Sequence, residues 1–325
     1  MNFDLDQDQL DAAAGARQFF AGLSSPAQAR AALEGGPLAP GRQALADIGF
    51  LGITVPEAAG GAGGSVLDLA VVAEQAGAVL AGPSLVTAAR AAVLLADQPE
   101  LAAALADGSR SFCVVDGEHP ALDAVGADTF LALVDGDLVV GGGDVTTGRP
   151  MDATRGLGVV TLTGTRVLVP DAQQLWARAR DVALVALAAE DLGTAGRAVE
   201  LGVAYAKERH AFGRAIGSYQ AVKHSLVDAW VGVEQLRSLV WWAAWAADTA
   251  PDELPLAAAS ATAFAAEVLE RAAETCIQVH GGTGFTWEHD AHLYWRRAKV
   301  DRLLLGDAAE HHDVVAGLVL AGALS

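Results

Sequence analysis

Cysteine is nearly absent: Cys113 and Cys276, far apart in the sequence, are the only two in 325 residues. Their number and spacing exclude a disulfide framework and a thiolate-based metal site. Aromatic side chains are sparse at 6%, although hydrophobic residues make up 52% of the chain. The difference is alanine, which favours helix and lets helices approach closely, so a mostly helical protein is expected. Positive charge is also short, leaving a formal net charge of −19. Neither nucleic acid nor an anionic membrane is then expected as the main partner, because both need a basic face. No apolar run reaches the roughly 20 residues that span a bilayer. The opening MNFDLDQDQL is acidic and lacks a signal-peptide apolar region, so the expected location is cytoplasmic.

Hydrophobic spacing divides the chain into three parts, at residues 1–110, 111–175 and 176–325. The first reads as helices. Phe3 to Leu23 has helical periodicity, and Ser24-Ser25-Pro26 makes a stop followed by a new start. The glycine run at 60–64 breaks regular structure, and Ser65 caps a helix reaching about Leu80. From Ser111 to Pro170 the period falls to two, predicting strands over Phe112–Val115, Phe130–Val134, Leu138–Val140 and Leu157–Val169. Asp135-Gly136-Asp137 is a hairpin turn between two of them. Beyond that, long helices are predicted over Val182–Glu208, Tyr219–Asp248, Glu253–Val279, Thr286–Leu305 and Asp307–Leu320, the pattern of an antiparallel bundle.

Two segments couple loops of small residues and hydrogen-bond donors to these helices. In YAKERHAFGRAIGSYQAVKH, Tyr205 to His224, Arg209 offers a permanently charged fork of donors suited to a diphosphate. Phe212-Gly213 makes a tight apolar corner, and Gln220 stands at a helix start where its amide can reach a ligand. In VHGGTGFTWEHDAHLYWRRA, Val279 to Ala298, the Gly281-Gly282 pair lets backbone amides approach a ligand closely. The positive charges Arg296, Arg297, Lys299 and Arg302 read by default as solvated helix faces. His280, His289, His292, His311 and His312 lack the converging ligands of a zinc site, and no metal is expected.

Both segments resemble signatures of the acyl-CoA dehydrogenase family, as does Ala46 to Gly77, and the resemblance covers nearly the whole chain. It implies an N-terminal helical domain, a reduced β domain and a C-terminal four-helix bundle, mainly α with a small β domain. It further implies FAD as cofactor, contacted by Arg209, Phe212, Gln220, Gln278, Val279, His280, Gly281 and Gly282. Acyl-CoA is the implied substrate, and electron-transfer flavoprotein the implied electron acceptor.

The chain departs from the family pattern where chemistry should occur. The α-proton of an acyl thioester must be taken by a carboxylate in an apolar setting. Leu305-Gly306 stands where the family commonly carries Glu-Gly, and Ala183 stands at the alternative location. The usual Thr-Glu-Pro, Gly-Ser-Asp and Trp-Ile-Thr segments against the flavin ring are missing from the β domain. Asp307 and Glu310 fit a capping box. Glu190, in the apolar ALVALAAEDLG, is a candidate base if burial raises its pKa, or else a partner of an arginine. Three readings follow: a short subunit completing the FAD site of a longer partner, a self-sufficient homo-oligomer using Glu190, and a non-catalytic scaffold or acyl-binding module.

Overall fold

The computed structural model describes residues 4–23 and 25–323, so the expectations placed on Phe3 and Ser24 lie outside the described residues. Six helices make the N-terminal part: α1 (Gln7–Leu23), α2 (Pro26–Leu33), α3 (Arg42–Asp47), α4 (Val66–Ala78), α5 (Leu85–Leu94) and α6 (Pro99–Ala106). Their starts are set by local chemistry. Ser25 caps α2 with Pro26 in its first turn. Ser65 and Asp68 form a reciprocal capping box on α4.

A four-stranded sheet follows, in the order β1 (Phe112–Val115), β2 (Thr129–Val134), β3 (Asp137–Thr146) and β4 (Val159–Val169). β1 pairs with β2 in parallel; the other pairings are antiparallel. Asp135 and Gly136, with φ of 51° and 92°, make the tight hairpin between β2 and β3. β3 runs six residues beyond the predicted Val140. Its tail, GGGDVT, carries little strand signal, and pairing with β4 through two register shifts supplies the order.

The C-terminal part contains α7 (Gln173–Glu208), a two-stranded hairpin β5 (His210–Ala211) and β6 (Arg214–Ala215), then α8 (Gln220–Thr249), α9 (Leu254–His280), α10 (Ala291–Asp301) and α11 (Ala308–Ala323). α7 starts at Gln173, three residues before the predicted domain boundary. α10 is shorter than the predicted helix over Thr286–Leu305, because residues 286–290 form turns and residues 302–306 leave the helix. The Asp307–Glu310 capping box is present at α11, with each side chain accepting from the other residue's N–H.

One core runs through all three parts. α7 and α9 run parallel, since the Thr262 hydroxyl donates to Leu184 O at 3.2 Å and Gly202 faces Cys276. α8 is antiparallel to α7, with Gly196 against Val233 and Gly202 against Leu226. α4 crosses α7 backbone to backbone: a Cβ built on Gly77 would lie 1.9 Å from Glu190 O, and one on Gly193 1.8 Å from Glu74 O. Gly77→Ala therefore forces the helices apart and is expected to cost about 2–3 kcal/mol. Urea unfolding measures this, and a midpoint equal to wild type would show that the crossing relaxes freely. No helix among the described residues is long and apolar enough to cross a membrane.

Candidate functional site

The helix directions decide which sequence elements meet. Because α7 and α9 are parallel and α8 is antiparallel, the C-terminal ends of α7 and α9 and the start of α8 lie at one end of the bundle. Arg209, at the C-cap of α7, and Gln220, the first residue of α8, are brought to the same end as Gln278 to Gly282. Ring contacts fasten that end. The Tyr205 ring of α7 packs tilted against His280 at 4.2 Å, and His280 against His289 at 4.3 Å. His280 is buried, and its Nδ1 lies 2.7 Å from Cys276 O. Val279 is half-buried, and Gln278, Gly281 and Gly282 are exposed.

The β5–β6 hairpin projects from this end. Ile216 N–H donates to Arg209 O at 2.8 Å, the Tyr219 hydroxyl donates to Ala211 O at 3.0 Å, and the Arg214 guanidinium lies 3.9 Å over the Tyr219 ring. Phe212 sits at the tip with φ of 52° and 97% of its surface exposed. A braced hairpin that holds an aromatic ring in the left-handed region and in water builds a feature with no use inside this chain. The Arg209 guanidinium is likewise exposed and makes no ion pair or hydrogen bond among the described residues, so pairing with Glu208 or Asp228 is not what holds it.

Gly281 has φ of 61°, and a side chain on either Gly281 or Gly282 would meet open space. Packing therefore does not require these glycines. Both are exposed at the end of the bundle that also carries the unpaired Arg209, an arrangement that suits a diphosphate. Among the described residues, no group of three or more His, Cys, Asp and Glu side chains is arranged to hold a metal ion.

The buried charges lie elsewhere. Arg155, in the loop between β3 and β4, is fully buried. It pairs with both oxygens of Asp301 on α10, with Glu190 on α7, and donates to the Ser84 hydroxyl at 3.2 Å. Arg297, also fully buried, donates to Asp152 at 2.6 Å and to the Thr154 hydroxyl at 2.6 Å. Burial raises the Asp191 carboxyl well above the usual carboxylate range, and the neighbouring Asp301 adds to the shift. Burial likewise pushes Asp123 up to about 6, against hydrogen bonds from Thr87 and Ser84 N–H. Sequence reasoning missed this network. Arg155 has no local signal, and Arg297, read as a solvated face, is in fact a core residue.

Glu190 belongs to this network. One oxygen accepts from the Ser84 hydroxyl at 2.8 Å and Leu85 N–H at 3.0 Å; the other takes Arg155. The arginine partner weighed against catalysis is thus present. A base needs a free lone pair facing its substrate, and this carboxylate lies outside the lining of the cavity that Leu305 borders.

That cavity, of about 730 Å³, opens between α5, the loop after β1 and the α10–α11 junction, and is walled mainly by side chains such as Val86, Leu122, Leu157 and Leu304. Leu305, at the family's base position, lines it with φ of 57°. Three carboxylates reach it, and each is engaged. Asp116 pairs with Arg90, while Asp307 and Glu310 cap α11.

Comparison with known proteins adds a second line. A model of the acyl-CoA dehydrogenase N-terminal domain matches residues 6–98, and one of the C-terminal domain matches residues 181–319. Acyl-CoA dehydrogenase IpdE2 of Mycolicibacterium smegmatis is 37% identical over 268 residues, 81% of this chain and 82% of that protein. Acyl-CoA dehydrogenase FadE34 of Mycobacterium tuberculosis is 39% identical over 300 residues, 86% of this chain and 42% of its own length. Among solved structures, the Tcur3481-Tcur3483 steroid ACAD superposes with a TM-score of 0.85 at 28% identity, covering 98% of this chain and 99% of that one. The ChsE4-ChsE5 complex from Mycobacterium tuberculosis, at 24% identity, shares the fold with a TM-score of 0.85, covering 98% and 99%.

Proposed function

Because the chain belongs to the acyl-CoA dehydrogenase family, we propose that it is the short subunit of a hetero-oligomer and completes the FAD site of a longer, homologous partner. The reaction is α,β-desaturation of an acyl-CoA thioester. The observation that carries this reading is the outward-facing end of the bundle. Phe212 on its braced hairpin, the unpaired Arg209 and the bare Gly281-Gly282 backbone all address something outside this chain. The name Tcur3481-Tcur3483, joining two proteins in one steroid dehydrogenase, supports a two-protein assembly.

FAD, when bound, accepts the hydride removed from the acyl group. This chain's own residues bind and orient. Arg209 would offer a delocalised positive charge to the diphosphate, and Gly281-Gly282 would let backbone approach it without a Cβ in the way. Gln220 and Gln278 offer amides at the rim, while Phe212 covers apolar surface on the partner. The α-proton is not taken here. Leu305 has no basic atom, and the cavity carboxylates already serve other groups. We assign the base to the partner and Glu190 to the buried network.

Purified alone, the chain is expected to be colourless or nearly so. Co-expressed with an adjacent longer homologue, it is expected to co-purify as a yellow complex that turns over acyl-CoA. Flavin absorbance and native mass decide the matter. Stoichiometric flavin with turnover from this chain alone would refute the shared site.

A further inference from the structure

The segment after the glycine pair is held by the N-terminal domain. Arg30, on α2, lies more than 250 positions from it in sequence. Its Nε donates to Trp287 O at 3.0 Å, and its Nη2 to Glu288 O at 3.3 Å and to the Asp290 carboxylate at 2.6 Å. The three acceptors span the stretch that replaces the first turn of the predicted helix. An α-helix starting at Thr286 would use those carbonyls internally; here they point to a guanidinium. Beyond them, His289 packs against His280, which packs against Tyr205 near the hairpin. A continuous set of contacts thus joins α2, the 287–290 turn, the end of α9 and the end of α7.

We infer that Arg30 is a positioning residue for the FAD site, acting through the 287–290 turn on Gly281-Gly282; this rests on the reading that the glycine pair meets FAD. Arg30 touches no part of the proposed diphosphate position. Its fork fixes three points on one turn, and the loop from Gly281 to Asp290 is thereby closed at its far end. Without it, the Thr286 and His289 N–H groups keep their turn bonds and Trp287 O keeps His292, but Glu288 O and the Asp290 carboxylate lose the guanidinium. The backbone then samples conformations in which the Gly281-Gly282 segment leaves its place at the end of α9. Ligand affinity falls by the fraction of time the site is assembled. A lysine at this position supplies charge for Asp290 but cannot hold three acceptors in one plane.

The test uses the assembled complex of this chain with its longer homologue, stripped of flavin and titrated with FAD. Arg30→Leu is expected to raise the FAD dissociation constant roughly tenfold, and Arg30→Lys by less. In the FAD-free complex, Arg30→Leu is also expected to speed amide exchange across residues 283–290 while leaving α8 unchanged. Equal FAD affinity in wild type and Arg30→Leu, with Arg209→Ala still impaired, overturns the positioning role. Equal affinity in both variants overturns the FAD reading and this inference together. If Arg30→Leu compromises folding, Asp290→Asn carries the test with an expected loss of about threefold, since it weakens one of the three bonds. No change there overturns the proposal.

Discussion

Arg155→Met is expected to cost about 3–5 kcal/mol of folding stability, because it leaves Glu190 buried without its counter-charge and Asp301 with only Arg297 at 3.8 Å. The bonds concerned link four elements that are distant in sequence: Ser84 at the start of α5, Arg155 in the β-domain loop, Glu190 on α7 and Asp301 on α10. Each carboxylate is almost fully shielded from water, so no solvent can replace the guanidinium. Removing the carboxylates as well should cost less. A triple variant, Arg155→Met with Glu190→Leu and Asp301→Leu, trades the ions for apolar groups and should recover part of the loss. Denaturant midpoints of the single and triple variants measure both effects. A single variant within about 1 kcal/mol of wild type would show that the network contributes little.

Arg209→Ala is expected to weaken FAD binding by the assembled complex about 10- to 100-fold, the worth of a charge-assisted pair of hydrogen bonds to a diphosphate. Folding should not change, because the guanidinium is exposed and holds nothing within the chain. Arg209→Lys should recover part of the affinity, since lysine keeps the charge and loses the planar fork. Added salt should weaken wild-type binding more than that of Arg209→Ala, because only the former retains the attraction that ions screen. FAD titration at two ionic strengths checks both statements. An unchanged dissociation constant for Arg209→Ala would remove the central contact of the proposed site.

The two predictions concern arginines that differ greatly in how readable they are. Arg209 could be proposed from its neighbours: the run Arg-His-Ala-Phe-Gly, with Gln220 at the next helix start, is local in sequence. Arg155 could not, because its partners lie 35, 71 and 146 positions away and its own loop carries no pattern. The same contrast separates Arg297 from its neighbours. Lys299 and Arg302 lie at the surface against Glu270, as charged helix residues usually do, whereas Arg297 points into the core. Composition cannot tell these apart, because the difference is which way each residue faces on α10 or just past its end.

Local rules fixed the element types, several boundaries and the capping devices, because these depend on residues within one or two turns of each other. Ser65 with Asp68, the Asp135-Gly136 hairpin, and Asp307 with Glu310 all arise this way. The family membership and the two segments proposed to meet FAD were equally present in the linear order. Only the tertiary structure decided that α7 and α9 run parallel, which brings those two segments to one end, and that Glu190 has its lone pairs taken by Ser84, Leu85 and Arg155. It also decided that α10 begins at Ala291, since Arg30 takes the preceding carbonyls. The reason is common to all three. Direction, burial and competition for a hydrogen-bond acceptor depend on groups far apart in the chain, and no window of sequence contains both members of such a pair.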